Sequence, residues 1–77
     1  MRERPLHLPS KLKTIRQRLG VSQTGMKRVL DFKGHYGRIS EYELGRRQPT
    51  VLVLLSYARA AKIPLEHIVD DRIELKF

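Results

Sequence analysis

Apolar residues recur along this chain at helical intervals, separated by short breaks. Leu12, Ile15 and Leu19 stand three and four apart between Pro9 and Gly20, with Lys11, Lys13, Arg16, Gln17 and Arg18 around the rest. That spacing predicts a first amphipathic helix, stopped by Gly20. Ser22 is a good N-cap for a second helix from Gln23 to about Leu30, with Met26, Val29 and Leu30 apolar. Gly25, at its third position, excludes a capping box and lowers the helix's independent stability. From Asp31 to Gly37 two glycines in four residues and the polar Asp31, Lys33 and His35 break the periodicity, which reads as a loop.

A third helix is expected from about His35 or Tyr36 to Leu44, burying Ile39 and Tyr42 and ending where Gly45 can turn left-handed. Thr50 caps a fourth, to about Lys62, whose Val51, Leu52, Leu54, Leu55, Tyr57, Ala58 and Ala61 make it the most apolar element and the expected centre of the core. Pro64 lacks an N–H and suits the first turn of a short fifth helix reaching about Val69. Residues 72–77 then alternate charged and apolar with period two, the pattern of a half-buried strand. A lone strand needs a partner, so this tail either packs loosely on the domain or pairs with its copy in a second subunit. The pattern divides the chain into an N-terminal arm (1–8), a helical domain (9–69) and a C-terminal tail (70–77).

Composition narrows what such a domain can do. Seventy-seven residues form one small core and leave few for a catalytic cavity, so an enzyme is not expected. There is no Cys, and His7, His35 and His67 are too scattered for ligand spacing, so neither a metal site nor any cofactor is implied. Asp70-Asp71 has no third ligand nearby and reads as a helix end with solubilising charge. The longest apolar run, Val51 to Leu55, is far shorter than the roughly 18 residues of a membrane span, and no charged-then-apolar leader opens the chain. A cytoplasmic protein with no membrane partner is expected.

The charge of +8 is unevenly spread. Residues 1–62 carry 14 Lys/Arg against 4 Asp/Glu, whereas residues 63–77 carry 2 against 4. A basic body with a mildly acidic tail suits a polyanion for the body and something else for the tail. Charge alone is also compatible with a merely solvated basic surface.

The order of Ser22-Gln23, Ile39-Ser40, Tyr42-Glu43, Gly45, Arg47 and Pro49 resembles the phage repressor and Cro-type (XRE-like) helix-turn-helix family over roughly residues 9–69. The resemblance implies an all-α fold, a five-helix repressor-like domain with a short strand-like C-terminal tail. It also implies a sequence-specific DNA-binding regulator, a repressor that holds a palindromic operator on double-stranded DNA as a homodimer. Three departures stand out. Two extra residues lie between Ser22-Gln23 and Glu43-x-Gly45, which lengthens the turn over 31–38. Lys27 replaces the usual Ala against the third helix, and Lys62 replaces a helix-ending Gly.

In such domains the third helix enters the major groove, whose edges distinguish all four base pairs. With Ile39 and Tyr42 inside, about 100° per residue turns Gly37, Ser40, Glu41 and Leu44 outward and Tyr36 and Arg38 to the sides. The resemblance makes Tyr36, Gly37, Arg38, Ser40 and Glu41 the base-contacting positions. Arg38 could fork onto guanine, Tyr36 could meet a thymine methyl or a phosphate, and Glu41 could accept from cytosine N4. Alternatively, Glu41 simply pairs on the surface with Arg38, three residues before it. Phosphates would fall to Gln23 at the start of the second helix, to Lys33, and to Arg46, Arg47 and Gln48 after the third. The resemblance also pairs Arg16 with Glu43 in a partly buried structural ion pair.

One module of this kind buries only about 600–1,000 Å² on DNA, which is why a homodimer is expected. Leu65, Ile68 and Val69 of the fifth helix, or Ile73, Leu75 and Phe77 of the tail, could form its interface; the apolar pattern does not choose between them. The rival reading is an antitoxin-like or adaptor module gripping a protein partner through its acidic, apolar tail. Membrane or RNA binding without sequence preference fits less well. The first helix offers only Leu12, Ile15 and Leu19 as an apolar face, and only Tyr36 is placed to stack on a base.

Overall fold

The computed structural model describes residues 6–31 and 37–75. Among the described residues the fold is all-α, with five helices: α1 Leu8–Leu19, α2 Gln23–Val29, α3 Gly37–Glu43, α4 Val51–Ala61 and α5 Glu66–Val69. α1 packs against α3, α4 and α5, and α2 packs against α3. The hub is therefore α1 and not the more apolar α4. The reason lies in which face is covered: α4 buries Leu54, Tyr57 and Ala58 but leaves Val51 64% and Leu52 75% exposed, whereas α1 encloses Leu8, Leu12 and Ile15 completely or nearly so. A continuous apolar run gives no information about its buried side.

The helix boundaries follow local chemistry. Ser22 Oγ accepts from the Gly25 amide at 3.0 Å and Thr50 Oγ1 from the Val53 amide at 3.3 Å, each satisfying an early helical donor. α1 begins at Leu8, inside the segment assigned to the arm, with Pro9 in its first turn. Gly20 (φ 74°) and Gly45 (φ 75°) end α1 and α3 left-handed. At each, the glycine N–H and the next N–H reach back to two orphaned carbonyls of the last turn. Lys62 (φ 60°) closes α4 in the same way despite its side chain, so this departure from glycine keeps the geometry at some backbone cost. Val29, expected on the apolar face of α2, is 46% exposed, while Met26 and Leu30 are buried.

Lys11 overturns the expectation that it belongs to the polar face of α1. It is only 7% exposed, because it falls three residues after Leu8 and four before Ile15, on the buried stripe. Its Nζ donates to the carbonyls of His67 (2.9 Å), Asp70 (2.9 Å) and Ile73 (2.7 Å). A four-residue helix such as α5 ends with bare carbonyls, and Lys11 supplies the missing donors. Asp71 completes the tie from the other side. Its Oδ2 accepts from the Leu6 amide at 2.7 Å and its Oδ1 from the His7 amide at 3.0 Å, satisfying donors ahead of α1. Asp71 is thus a cap for the opposite end of the chain, and more than solubilising charge.

No strand forms among the described residues of the tail, where the Ile73 amide donates to the Asp70 carbonyl and the Ile73 carbonyl accepts from Lys11. Leu75 packs against the core. No helix among the described residues is long and apolar enough to cross a membrane.

Candidate nucleic-acid interface

α3 has two faces with different chemistry. Ile39 is fully buried and Tyr42 is 3% exposed, as the helical spacing demands. Glu43 continues this inner side. Its Oε2 lies 2.7 Å from Arg16 Nε and its Oε1 3.2 Å from Arg16 Nη2, a two-pronged pair between side chains only 15% and 4% exposed. Arg16 Nη1 also donates to the Val21 carbonyl at 3.0 Å, and Gln23 Nε2 donates to Glu43 Oε1 at 3.3 Å. One carboxylate thereby links α1, the start of α2 and the end of α3. The hydrogen bond from Arg16 to Glu43 holds the guanidinium pKa above its ordinary value. Tyr57 is wholly buried, and its phenol is pushed well above its usual range by burial first and by the negative Glu43 second. It remains a neutral packing group.

The outer face carries Gly37, Arg38, Ser40 and Glu41, all half-buried, followed by exposed Leu44, Arg46, Arg47 and Gln48. Arg47 Nε donates to Glu41 Oε1 at 2.9 Å, and Arg38 Nε lies 3.8 Å from the same oxygen. The surface pair of Arg38 with Glu41 is therefore the longer of two, and the loop arginine is the principal partner. The chain folds back for this contact because Gly45 turns left-handed and brings the segment after α3 alongside its last turn. A Cβ at Gly45 would also stand 3.3 Å from Pro9 Cγ, where the start of α1 closes against this turn. Pro49, beyond it, is buried.

Of the positions singled out for DNA, Gly37, Arg38, Ser40 and Glu41 lie on α3 and Arg46, Arg47 and Gln48 in the segment after it, and ion pairs bring Arg38, Glu41 and Arg47 together. Gln23 stands apart, with its amide nitrogen on Glu43 in the inner network. Tyr36 and Lys33 lie outside the described residues, as does Phe77. Of the dimer candidates, Ile68 is fully enclosed by its own chain and offers a partner nothing. Leu65, Val69, Ile73 and Leu75 are half-buried. The large apolar side chains left most exposed among the described residues are others: Leu6, Val29, Leu44, Val51 and Leu52.

Among the contacts that the sequence pattern does not give, two differ in how readable they are. The Arg47–Glu41 pair depends on the turn at Gly45, and the Lys11 cradle on a lysine at a core position of the first helix. The second had a readable signal, since Lys11 shares the stripe of Leu8, Leu12 and Ile15. No family model, curated protein or solved structure matches this chain.

Proposed function

We propose that this protein is a sequence-specific DNA-binding regulator of the phage repressor and Cro-type helix-turn-helix kind, acting as a repressor from a two-fold site as a homodimer. One observation carries the reading. α3 is held against α1 and α2 by a buried ion pair, and its outer face carries Arg38 and Glu41, with Arg47 of the following Arg46-Arg47-Gln48 segment drawn onto Glu41, in a chain of charge +8. Arg38, Ser40 and Glu41 can reach base edges from a helix of this kind, while Arg46, Arg47 and Gln48 flank it as phosphate donors. The small footprint of a single module argues for two copies.

Selection of bound duplexes from a random pool tests the proposal. A palindromic consensus is expected, with a binding constant that falls steeply as salt rises because phosphate contacts release counterions. Recovery of no motif, together with flat salt dependence, would replace it with a protein-interaction module.

A further inference from the structure

The sequence offers Glu41 as a reader of cytosine, yet in the free protein its carboxylate is occupied. Arg47 donates to Glu41 Oε1 at 2.9 Å and Arg38 reaches the same oxygen at 3.8 Å. All three side chains keep a substantial part of their surface in water, at 47%, 42% and 38% for Arg47, Glu41 and Arg38. Exposed pairs of this kind contribute little to folding. The stabilising role on α3 belongs to Glu43, two residues on, whose side chain is 4% exposed. The Glu41 cluster therefore calls for another account.

A carboxylate presents a guanidinium with the same acceptor geometry as a phosphate. A backbone phosphate that takes the Nε edge of Arg47 must first displace Glu41, and a displaced Glu41 then faces the negative field of the groove. With Arg47 gone, a donor at the base edge, such as cytosine N4–H, compensates that carboxylate alongside Arg38. We propose that Glu41 is an internal substitute for DNA phosphate: it occupies Arg47 and Arg38 in the free protein, suppresses binding to non-cognate duplex, and is released where a cytosine amino group accepts the exchange. This inference rests on the DNA-binding reading and adds to it a specificity-determining residue that works by opposing affinity.

The test compares wild type, Glu41→Gln and Glu74→Gln on a random-sequence duplex and on the selected duplex, over a series of salt concentrations. Glu74 is an exposed acid of the tail, so its replacement makes the same change in net charge away from α3. Glu41→Gln should bind random duplex about 3- to 10-fold more tightly at low salt. Its salt slope should steepen by up to about 0.9, one further phosphate neutralised. The preference for the selected duplex should narrow, and Glu74→Gln should change none of the three. In the free protein, the Arg47 Nε–H resonance should move on Glu41→Gln and stay in place on Glu74→Gln.

Equal effects of the two substitutions would reduce the matter to net charge and overturn the inference. So would weaker binding of Glu41→Gln to both duplexes, which would make Glu41 an ordinary positioning or contact residue. If the folded wild type and both variants bind no duplex at any salt, the DNA-binding reading itself falls and takes this inference with it. Binding by wild type with an unchanged Glu41→Gln leaves that reading standing and removes only the inference.

Discussion

Glu41 and Glu43 sit two residues apart on one short helix, which turns them to opposite faces, and each is bound by arginine. Glu43 is 4% exposed, takes both prongs of Arg16 and accepts from Gln23 as well. Glu41 is 42% exposed and shares one oxygen between Arg47 and Arg38. The chemistry is the same and the environment differs. Away from water, an unpartnered charge is costly, so the inner pair locks three segments of chain together. At the surface, water and salt compete for each arginine, and the outer pair can be exchanged. The difference teaches that a carboxylate on a short helix need not serve the fold, and that burial separates scaffold from open surface where sequence spacing cannot.

The sharpest way to break this comparison is to remove each carboxylate in turn. Glu43→Ala strands Arg16 and should cost roughly 3–5 kcal/mol in urea unfolding. At about 0.05–0.15 kcal/mol per residue, that is a large share of the stability expected for so small a domain. Glu41→Ala should cost less than about 1 kcal/mol. Similar losses at the two positions would mean that the faces do not differ as their exposures indicate.

The next effect belongs to the clasp between the ends of the chain, the other place where a charged side chain is buried. Lys11→Met keeps the apolar stem but removes the donor shared by the His67, Asp70 and Ile73 carbonyls. A loss of about 2 kcal/mol is expected. Hydrogen exchange should accelerate at the Asp70 and Ile73 amides, while the amides of α2 and α3 stay protected. Uniform acceleration would make Lys11 a general core residue and not a tie for the tail.

How much of this was legible beforehand depended on whether the determining contacts were local. Ser22 and Thr50 announced their helices because an N-cap satisfies amides two or three residues away, and Gly20 and Gly45 announced the ends for a similar reason. Ile39 and Tyr42 followed from spacing alone. The Arg16–Glu43 pair was available only through a family resemblance, since nothing local connects positions 27 residues apart. The charge of Lys11 points to the polar face, whereas its position on the stripe of Leu8, Leu12 and Ile15 places it in the core. The tail's alternation suggested a strand because period two describes only which side chains could share a face, whereas the Ile73 backbone groups bond to Asp70 and Lys11. Asp71 capping the Leu6 and His7 amides, across more than 60 residues, had no local signature at all. At the site, spacing gave the Arg38–Glu41 pair but not the shorter contact from Arg47, which exists because of how the chain turns after α3.

On the outer face, Arg38→Ala and Arg47→Ala separate reading from gripping. Arg38→Ala should cost about 1–3 kcal/mol on the selected duplex and relax preference at one position of each half-site. Arg47→Ala should weaken selected and random duplex alike and lower the salt slope by about 1. An equal loss on all sequences for Arg38 would make it a phosphate contact, and a selective loss for Arg47 would make it a reader.

The smallest effect should come from acid, and it tests whether an exposed carboxylate can nonetheless be structural. The Leu6 amide, then the His7 amide, hold the Asp71 carboxyl below the ordinary value of 3.8, and the Arg72 side chain holds Asp70 at about 2. Because both folded values lie below the unfolded ones, their contribution is fully present above about pH 4 and is lost only as pH falls through the folded values. As Asp71 takes up its proton below about pH 4, the Leu6 and His7 amide resonances should therefore move. Asp71→Asn should abolish that movement while leaving the resonances of α3 in place. A midpoint at or above 3.8 would show Asp71 to be a free surface carboxylate. It would then behave as an ordinary exposed acid, and the anchoring of the tail would fall to Lys11 alone.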